Sequence, residues 1–442
     1  KDPYTLYPAK TAAEVNTLGG REVNHPSTVG ADAVGYVNDM ANPTDIAGYR
    51  NGSQWYDASG NELPGGEAVR LATSSGVIQP YLVDPTNQKL SKASFRDYEP
   101  TILVLPRLSF SFPVTRTAMF YAYYDKFAQR PNYGQTFAPI SSYFYLENAS
   151  NTLLPNPDLK PAQRTDYQFG YKQLVGKYGV LNLKVGFAEV KNDINLIQIE
   201  QAYPRSYTTY GNVDFSTVKS FGADYSTQVG RASIRANYLL QYADGTGSNV
   251  NSAAALIQVG QPNLRSLYPL EYDIRHKFNV NFSYAMDSLS RRAKGIFRRM
   301  NLNVFANTQS GSPFTANAIA TPEAQSLGSV SRSQIKGNPF GSRMPWNYTL
   351  DMSISKMLLV RGKPIVVQLN AINVLNVRNV FNVYAYTSSP DDDGYLASPQ
   401  GQQQIRNELN AQSFVNYYSL KQNDPRNFGR PRMVSLTLRT TF

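Results

Sequence analysis

From about residue 101 to the end of the chain, apolar and polar side chains alternate with a period of two, in stretches long enough to be strands. In the last stretch Val434, Leu436, Leu438, Thr440 and Phe442 share one face, and Met433, Ser435, Thr437, Arg439 and Thr441 share the other. Successive strand side chains point to opposite sides, so such a segment is apolar on one face and largely polar on the other. Leu108, Phe110, Phe112 and Val114 alternate in the same way with Arg107, Ser109 and Ser111. Leu181, Leu183, Val185 and Phe187 alternate with Asn182, Lys184 and Gly186, and the pattern returns at 232–242, 278–284 and 302–307.

Eleven strands are expected, at 101–114, 116–127, 164–175, 179–197, 215–228, 231–243, 272–286, 298–310, 346–357, 363–376 and 431–442. Tight turns near 113–117, 174–179, 228–231 and 358–363 are interleaved with long polar loops near 128–163, 198–213, 244–271, 311–345 and 377–430; the turn near 287–297 is long for its side. A soluble β-sandwich also alternates apolar and polar positions. The strict succession of short and long connections instead matches periplasmic turns and extracellular loops, and the fold class expected is an all-β, transmembrane antiparallel β-barrel.

Single-chain bacterial barrels use even strand numbers, and eleven is odd. An open sheet in lipid would leave both edges unpaired, at a cost on the order of tens of kcal/mol. The missing strands are therefore expected from elsewhere. A second set of equal size would give about 22, a size that encloses a plugged lumen. Residues 1–100, rich in Gly, Asn and Tyr, are expected to form an extracellular loop region with short strands at most, and residues 101–442 the C-terminal half of the barrel. A twelfth strand drawn from about 68–83 would instead close a small pore, but the Gly, Pro and Asn content of 1–100 disfavours it.

Composition sharpens this picture. The 442 residues include 31 Tyr and 21 Phe against 2 Trp, an aromatic excess that favours β-structure and interfaces. There is no cysteine, which removes disulfides and thiolate chemistry, and the two histidines, His25 and His276, are read as structural. The net charge of +11 is scattered among Asn, Ser and Tyr, which argues against nucleic acid as a partner and fits an anionic lipid or lipopolysaccharide surface. Its densest cluster, Arg291, Arg292, Lys294, Arg298 and Arg299, is read as a solvated turn. No apolar run is long enough for a membrane-crossing helix, and a start at Lys1-Asp2-Pro3 is read as that of a processed or truncated chain.

No enzyme signature is found: HExxH, GxSxG, P-loop and GxGxxG patterns are all absent, and neither a catalytic residue nor a cofactor is expected. Asp391, Asp392 and Asp393 are a weak calcium candidate, because the stretch lacks the full twelve-residue loop pattern. Tyr143, Phe144, Tyr145, Tyr207 and Tyr210 fall in the expected extracellular loops, where aromatic rings stack on sugars or peptides, and are the candidate ligand contacts.

Seven motifs, in order, resemble the barrel of TonB-dependent outer-membrane transporters, in particular the Oar-like group of Bacteroidetes with a carboxypeptidase-regulatory-like domain. They are PRLSFSFPVT (106–115), NPDLKP (156–161) followed by Thr165, Tyr167 and Gly170, ANYLLQYADGTGSN (236–249), YPLEYDIRHKFNVNFSY (268–284), SGSPFT (310–315), RMPWNYTLDMSISK (343–356) and NAINVLNVRNVFN (370–382). Ala162 and Gln168 sit where glutamates are common in the family. The end, RNFGRPRMVSLTLRTTF (426–442), resembles the terminal strand that barrel-assembly machinery recognises, with Val434, Leu436, Leu438, Thr440 and Phe442 as the signal.

The resemblance implies a bacterial outer-membrane location and energised uptake of a ligand bound from outside. It also implies a plug and a TonB box outside this chain, on an N-terminal half-barrel from the same gene or another, through which the TonB complex acts. The alternative expectation is a structural or assembly-scaffold barrel that has kept the shape and lost transport.

Overall fold

The computed structural model describes residues 2–148, 153–258, 265–286, 297–320, 335–360 and 363–440. Phe442 of the terminal signal, and Arg291, Arg292 and Lys294 of the basic cluster, lie outside the described residues.

Among the described residues eleven long strands dominate: β1 Arg107–Pro113, β2 Ala118–Gln129, β3 Ala162–Val175, β4 Gly179–Ile199, β5 Tyr207–Val229, β6 Ala232–Gly245, β7 His276–Met286, β8 Met300–Gln309, β9 Asn347–Val360, β10 Lys363–Ile372 and β11 Met433–Thr440. Their order across the sheet is their order along the chain, and every neighbouring pair is antiparallel. Two short segments, Leu153–Leu154 beside β5 and Tyr268–Pro269 beside β6, bring the sheet to 13 strands. Among the described residues β1 pairs only with β2 and β11 only with β10, so the path is open.

The register carries rows of apolar residues across the sheet. One row runs Phe112, Phe120, Tyr171, Leu183, Ala223, Tyr238 and Phe278 from β1 to β7. Another runs Tyr284, Leu302, Ile354, Leu369 and Leu436 from β7 to β11. Among the described residues nothing covers this face: Phe110 is 67% exposed and Leu438 68%. The opposite face is polar and cross-linked. Tyr121 Oη donates to Asn182 Oδ1 at 2.7 Å, Asn182 Nδ2 to Asp224 Oδ2 at 3.1 Å, and Asn237 Nδ2 to Asp224 Oδ1 at 2.8 Å. Gly170 lies under Tyr121, whose ring would sit 2.1 Å from any added Cβ, so a glycine in mid-strand has a packing reason.

Local sequence explains the tight ends. Gly230, at φ 58°, begins the two-residue link between β5 and β6, where a left-handed residue matches the twist of the flanking strands. The connection expected at 198–213 is corrected: β4 and β5 run on for 21 and 23 residues, leaving only 200–206 between them. At ~3.3 Å per residue each strand is roughly 70 Å long. Over this stretch Ile199 and Tyr207 pack into one small cluster and Leu196 and Tyr210 into another, in place of a continuous apolar face.

Residues 2–83 have a core of their own, which the loop reading did not foresee. A sheet of Val34–Val37, Ile46–Asn51, Gln54–Asp57 and Glu62–Leu63 packs on the short helix Glu67–Leu71. Tyr36, Ala47, Trp55, Val69 and Ile78 form one cluster, and Ala12, Val29, Ala33 and Tyr49 a second. His25 bridges Tyr49 Oη at 2.8 Å and the Val15 carbonyl at 2.5 Å. Arg50, only 3% exposed, pairs with Asp2, donates Nε to Tyr36 Oη at 3.0 Å and lies over the Tyr4 ring at 4.3 Å.

Candidate functional site

The N-terminal unit meets the sheet at the projecting tip of β4 and β5. Tyr203 N donates to the Tyr4 carbonyl at 2.9 Å, and Tyr203 packs on the cluster around Trp55. Tyr207 Oη donates to the Pro3 carbonyl at 2.7 Å. A further cluster, Leu146, Leu154, Ile199, Ala202 and Tyr207, joins the helix Ile140–Asn148 to these strand ends.

Between the units lies a cavity of about 320 Å³, whose walls include Asp2, Phe95, Arg96, Tyr143, Asp158 and Tyr207. Arg96 and Asp158 face one another at 3.0 Å, and the Phe95 and Tyr143 rings meet edge to face at 5.5 Å. Burial, and after it the nearby Asp158 carboxylate, raises the pKa of Tyr143, so its hydroxyl stays a neutral donor. A larger hollow of about 1070 Å³ shares Asp2, Pro3, Thr5, Ser94 and Ile199 with the first and extends along the N-terminal unit past Glu14, Asp32 and Lys89. Rings on one side and a charged pair on the other suit an amphipathic small ligand.

The aromatic candidates therefore separate. Tyr143 and Tyr207 line the smaller cavity, with Tyr207 8% exposed. Phe144 and Tyr145 point away, 61% and 57% exposed, and their rings meet each other at 5.6 Å. Tyr210 packs instead against the cluster of Leu196, Ala253 and Ile257. Arg96 and Phe95 were not foreseen: they lie in a stretch with no periodicity, and nothing in the local sequence marks them.

The acidic run is held in a different network. Asp393, 2% exposed, accepts from Tyr418 Oη at 2.6 Å, from Gln422 Nε2 at 2.6 Å and from the Tyr395 amide at 2.8 Å. Asp392 accepts from the Gly394 amide at 2.8 Å, and Asp391 accepts from Ser389 Oγ at 2.7 Å. These bonds clamp the helix Ala411–Gln422 onto the 387–395 turn. Among the described residues no group of three or more His, Cys, Asp or Glu side chains is placed to hold a metal ion. Of the residues expected to form a terminal signal, Val434, Leu436, Leu438 and Thr440 lie on β11, the first three 63–68% exposed.

No family model and no curated protein matches the chain. Solved structures do resemble it. The outer membrane transporter YddB from Escherichia coli is 13% identical over 62% of this chain and 37% of its own, with a TM-score of 0.45. The ferric-catecholate import receptor Fiu from E. coli K12 is 14% identical over 75% and 34%, TM-score 0.42. The pyoverdine receptor FpvA from Pseudomonas aeruginosa PAO1 is 12% identical over 76% and 36%, TM-score 0.44. The match spans about a third of the length of each of these proteins, and TM-scores this low carry no functional assignment.

Proposed function

We propose that this chain is the C-terminal half of an outer-membrane, TonB-dependent transporter barrel of the Oar-like group, and that it does no covalent chemistry. The observation that carries this reading is the open path of eleven strands with one uncovered apolar face and one polar face. An uncovered apolar surface of this extent belongs against lipid. Edges at β1 and β11 that remained unpaired in a bilayer would cost on the order of tens of kcal/mol, so a partner half-barrel with about as many strands closes the sheet.

Residues 1–100 sit outside the cell, on the end with long connections. The plug and TonB box belong to the partner half, and the TonB complex acts through it. The ligand rests first in the cavity lined by Tyr143, Tyr207 and Arg96, with Phe144, Tyr145 and Tyr210 in the surrounding loops. Barrel-assembly machinery reads β11 through Val434, Leu436, Leu438, Thr440 and Phe442.

The test is mass spectrometry of the complex extracted from outer membranes in mild detergent, with every co-purifying polypeptide identified. A second chain or fragment carrying a plug and about as many strands is the expected result. Recovery of this chain alone as a heat-modifiable barrel overturns the half-barrel reading.

A further inference from the structure

The cavity between the N-terminal unit and the strand tips combines an apolar lining with one charged pair. Leu6, Leu154 and Ile197 line it together with the Phe95 and Tyr143 rings. Several polar groups of its walls are already engaged within the protein. Asp2 pairs with Arg50, Thr209 Oγ1 donates to the Leu154 carbonyl at 2.7 Å, and Tyr207 Oη donates to that of Pro3 at 2.7 Å. Arg96 and Asp158 instead face one another with side chains 54% and 61% exposed, so a ligand can reach both.

Size and charge limit what fits there. At about 320 Å³ the cavity lies at the small end of ligand pockets and takes one small molecule instead of an extended chain. A purely anionic ligand on Arg96 would strand the Asp158 carboxylate, and a purely cationic ligand on Asp158 would strand the Arg96 guanidinium. A ligand with an ammonium and a carboxylate side by side exchanges the internal ion pair for two pairs of its own and strands neither group. The exchange costs little, because an exposed ion pair contributes little by itself. The terminal charges of a peptide are separated by its length, whereas Arg96 and Asp158 lie 3.0 Å apart. Asp158 is also held in place: its amide donates to Asn156 Oδ1 at 2.9 Å, and Asn156 Nδ2 donates to the Tyr210 carbonyl at 2.8 Å.

We propose that this cavity binds a free α-amino acid with a large apolar side chain, its carboxylate on Arg96, its ammonium on Asp158 and its side chain against Phe95 and Leu154. The α-amino acid head is the compact form of two adjacent opposite charges, and the apolar lining takes the rest of the molecule. The proposal rests on the reading that the ligand first settles in this cavity.

The test is calorimetric titration of the purified complex in neutral detergent with L-phenylalanine, 2-phenylethylamine and 3-phenylpropanoate, which share a ring and differ in the charges of the head. L-Phenylalanine is expected to bind about tenfold or more tighter than either singly charged probe. Arg96→Gln should erase its preference over 2-phenylethylamine and keep that over 3-phenylpropanoate. Asp158→Asn should do the reverse. A merely structural pair would instead lower the binding of all three probes alike, and that result overturns the proposal, as does equal binding of the three by the unaltered protein. Binding of none of them overturns the ligand class. The half-barrel reading is judged separately, by the polypeptides that co-purify, so the two can fail independently.

Discussion

Asn212 and Lys160 exchange two hydrogen bonds: Asn212 Nδ2 donates to the Lys160 carbonyl at 2.8 Å, and the Lys160 amide donates back to Asn212 Oδ1 at 2.8 Å. A side-chain amide on β5 thus imitates a strand partner for the NPDLKP stretch. Asn156 extends the lacing, its Nδ2 donating to the Tyr210 carbonyl at 2.8 Å, while its Oδ1 accepts from the Asp158 amide at 2.9 Å. The motif places Asp158 at the cavity wall opposite Arg96.

Asn212→Ala leaves the Lys160 amide and carbonyl without these partners and is expected to cost about 1–2 kcal/mol locally. Hydrogen exchange resolved to the Lys160 amide should show about tenfold lower protection. Unchanged protection would mean that the backbone holds the motif without the side chain.

Asp2→Asn removes the charge that faces buried Arg50. A buried cation left without its anion costs about 3 kcal/mol. The loss should appear in denaturant unfolding followed through Trp55, whose ring lies 5.8 Å from the Arg50 guanidinium. Pairing Asp2→Asn with Arg50→Met should recover part of it, because the uncompensated charge is gone.

The sides of the sheet can be told apart by one charge. Phe110→Asp places a carboxylate on the uncovered apolar face, and Ser111→Asp places one on the polar face of the same strand. For a strand in lipid the first is expected to cost about 2 kcal/mol and the second little. Protein recovered in the outer-membrane fraction measures both, and equal recovery would argue against a lipid-facing side.

Burial, and after it the hydrogen bond to Asp393, holds the pKa of Tyr418 above the ordinary tyrosine range. Because the folded value is raised, the clamp on the helix Ala411–Gln422 is fully present below the usual tyrosine pKa and weakens as pH rises above it. Proteolysis at Lys421 should therefore accelerate only at strongly alkaline pH. Tyr418→Phe should be cleaved faster already at neutral pH, with a shallower dependence on pH.

Several motifs that read as separate signals along the chain are partners in space. Asp273, within YPLEYDIRH, is wholly buried; it accepts from Arg275 Nε at 3.1 Å and from the Ala243 amide at 2.9 Å, and it pairs with Arg343, the first residue of RMPWNYT. Asn373, in NAINVLN, adopts φ 51° and donates Nδ2 to the carbonyls of Val377 and Arg430, each at 3.0 Å, tying its loop to the start of β11. Asparagine tolerates that left-handed conformation better than most residues.

The period-two alternation by itself determined that these strands exist and which face of each is apolar, though not how far β4 and β5 run, because a strand's geometry leaves its side chains only two directions. The odd strand count was legible for the same reason. The pairings of Asp273 with Arg343 and of Asp158 with Arg96 were decided by the tertiary structure alone. They join residues roughly 60–70 positions apart in loops without periodicity, where only the ends of the strands determine what meets. The N-terminal core was hidden likewise. Its strands are two to six residues long, too short for alternation to register, and they are held by Trp55, Tyr36 and a buried Arg50 whose partner lies 48 residues away.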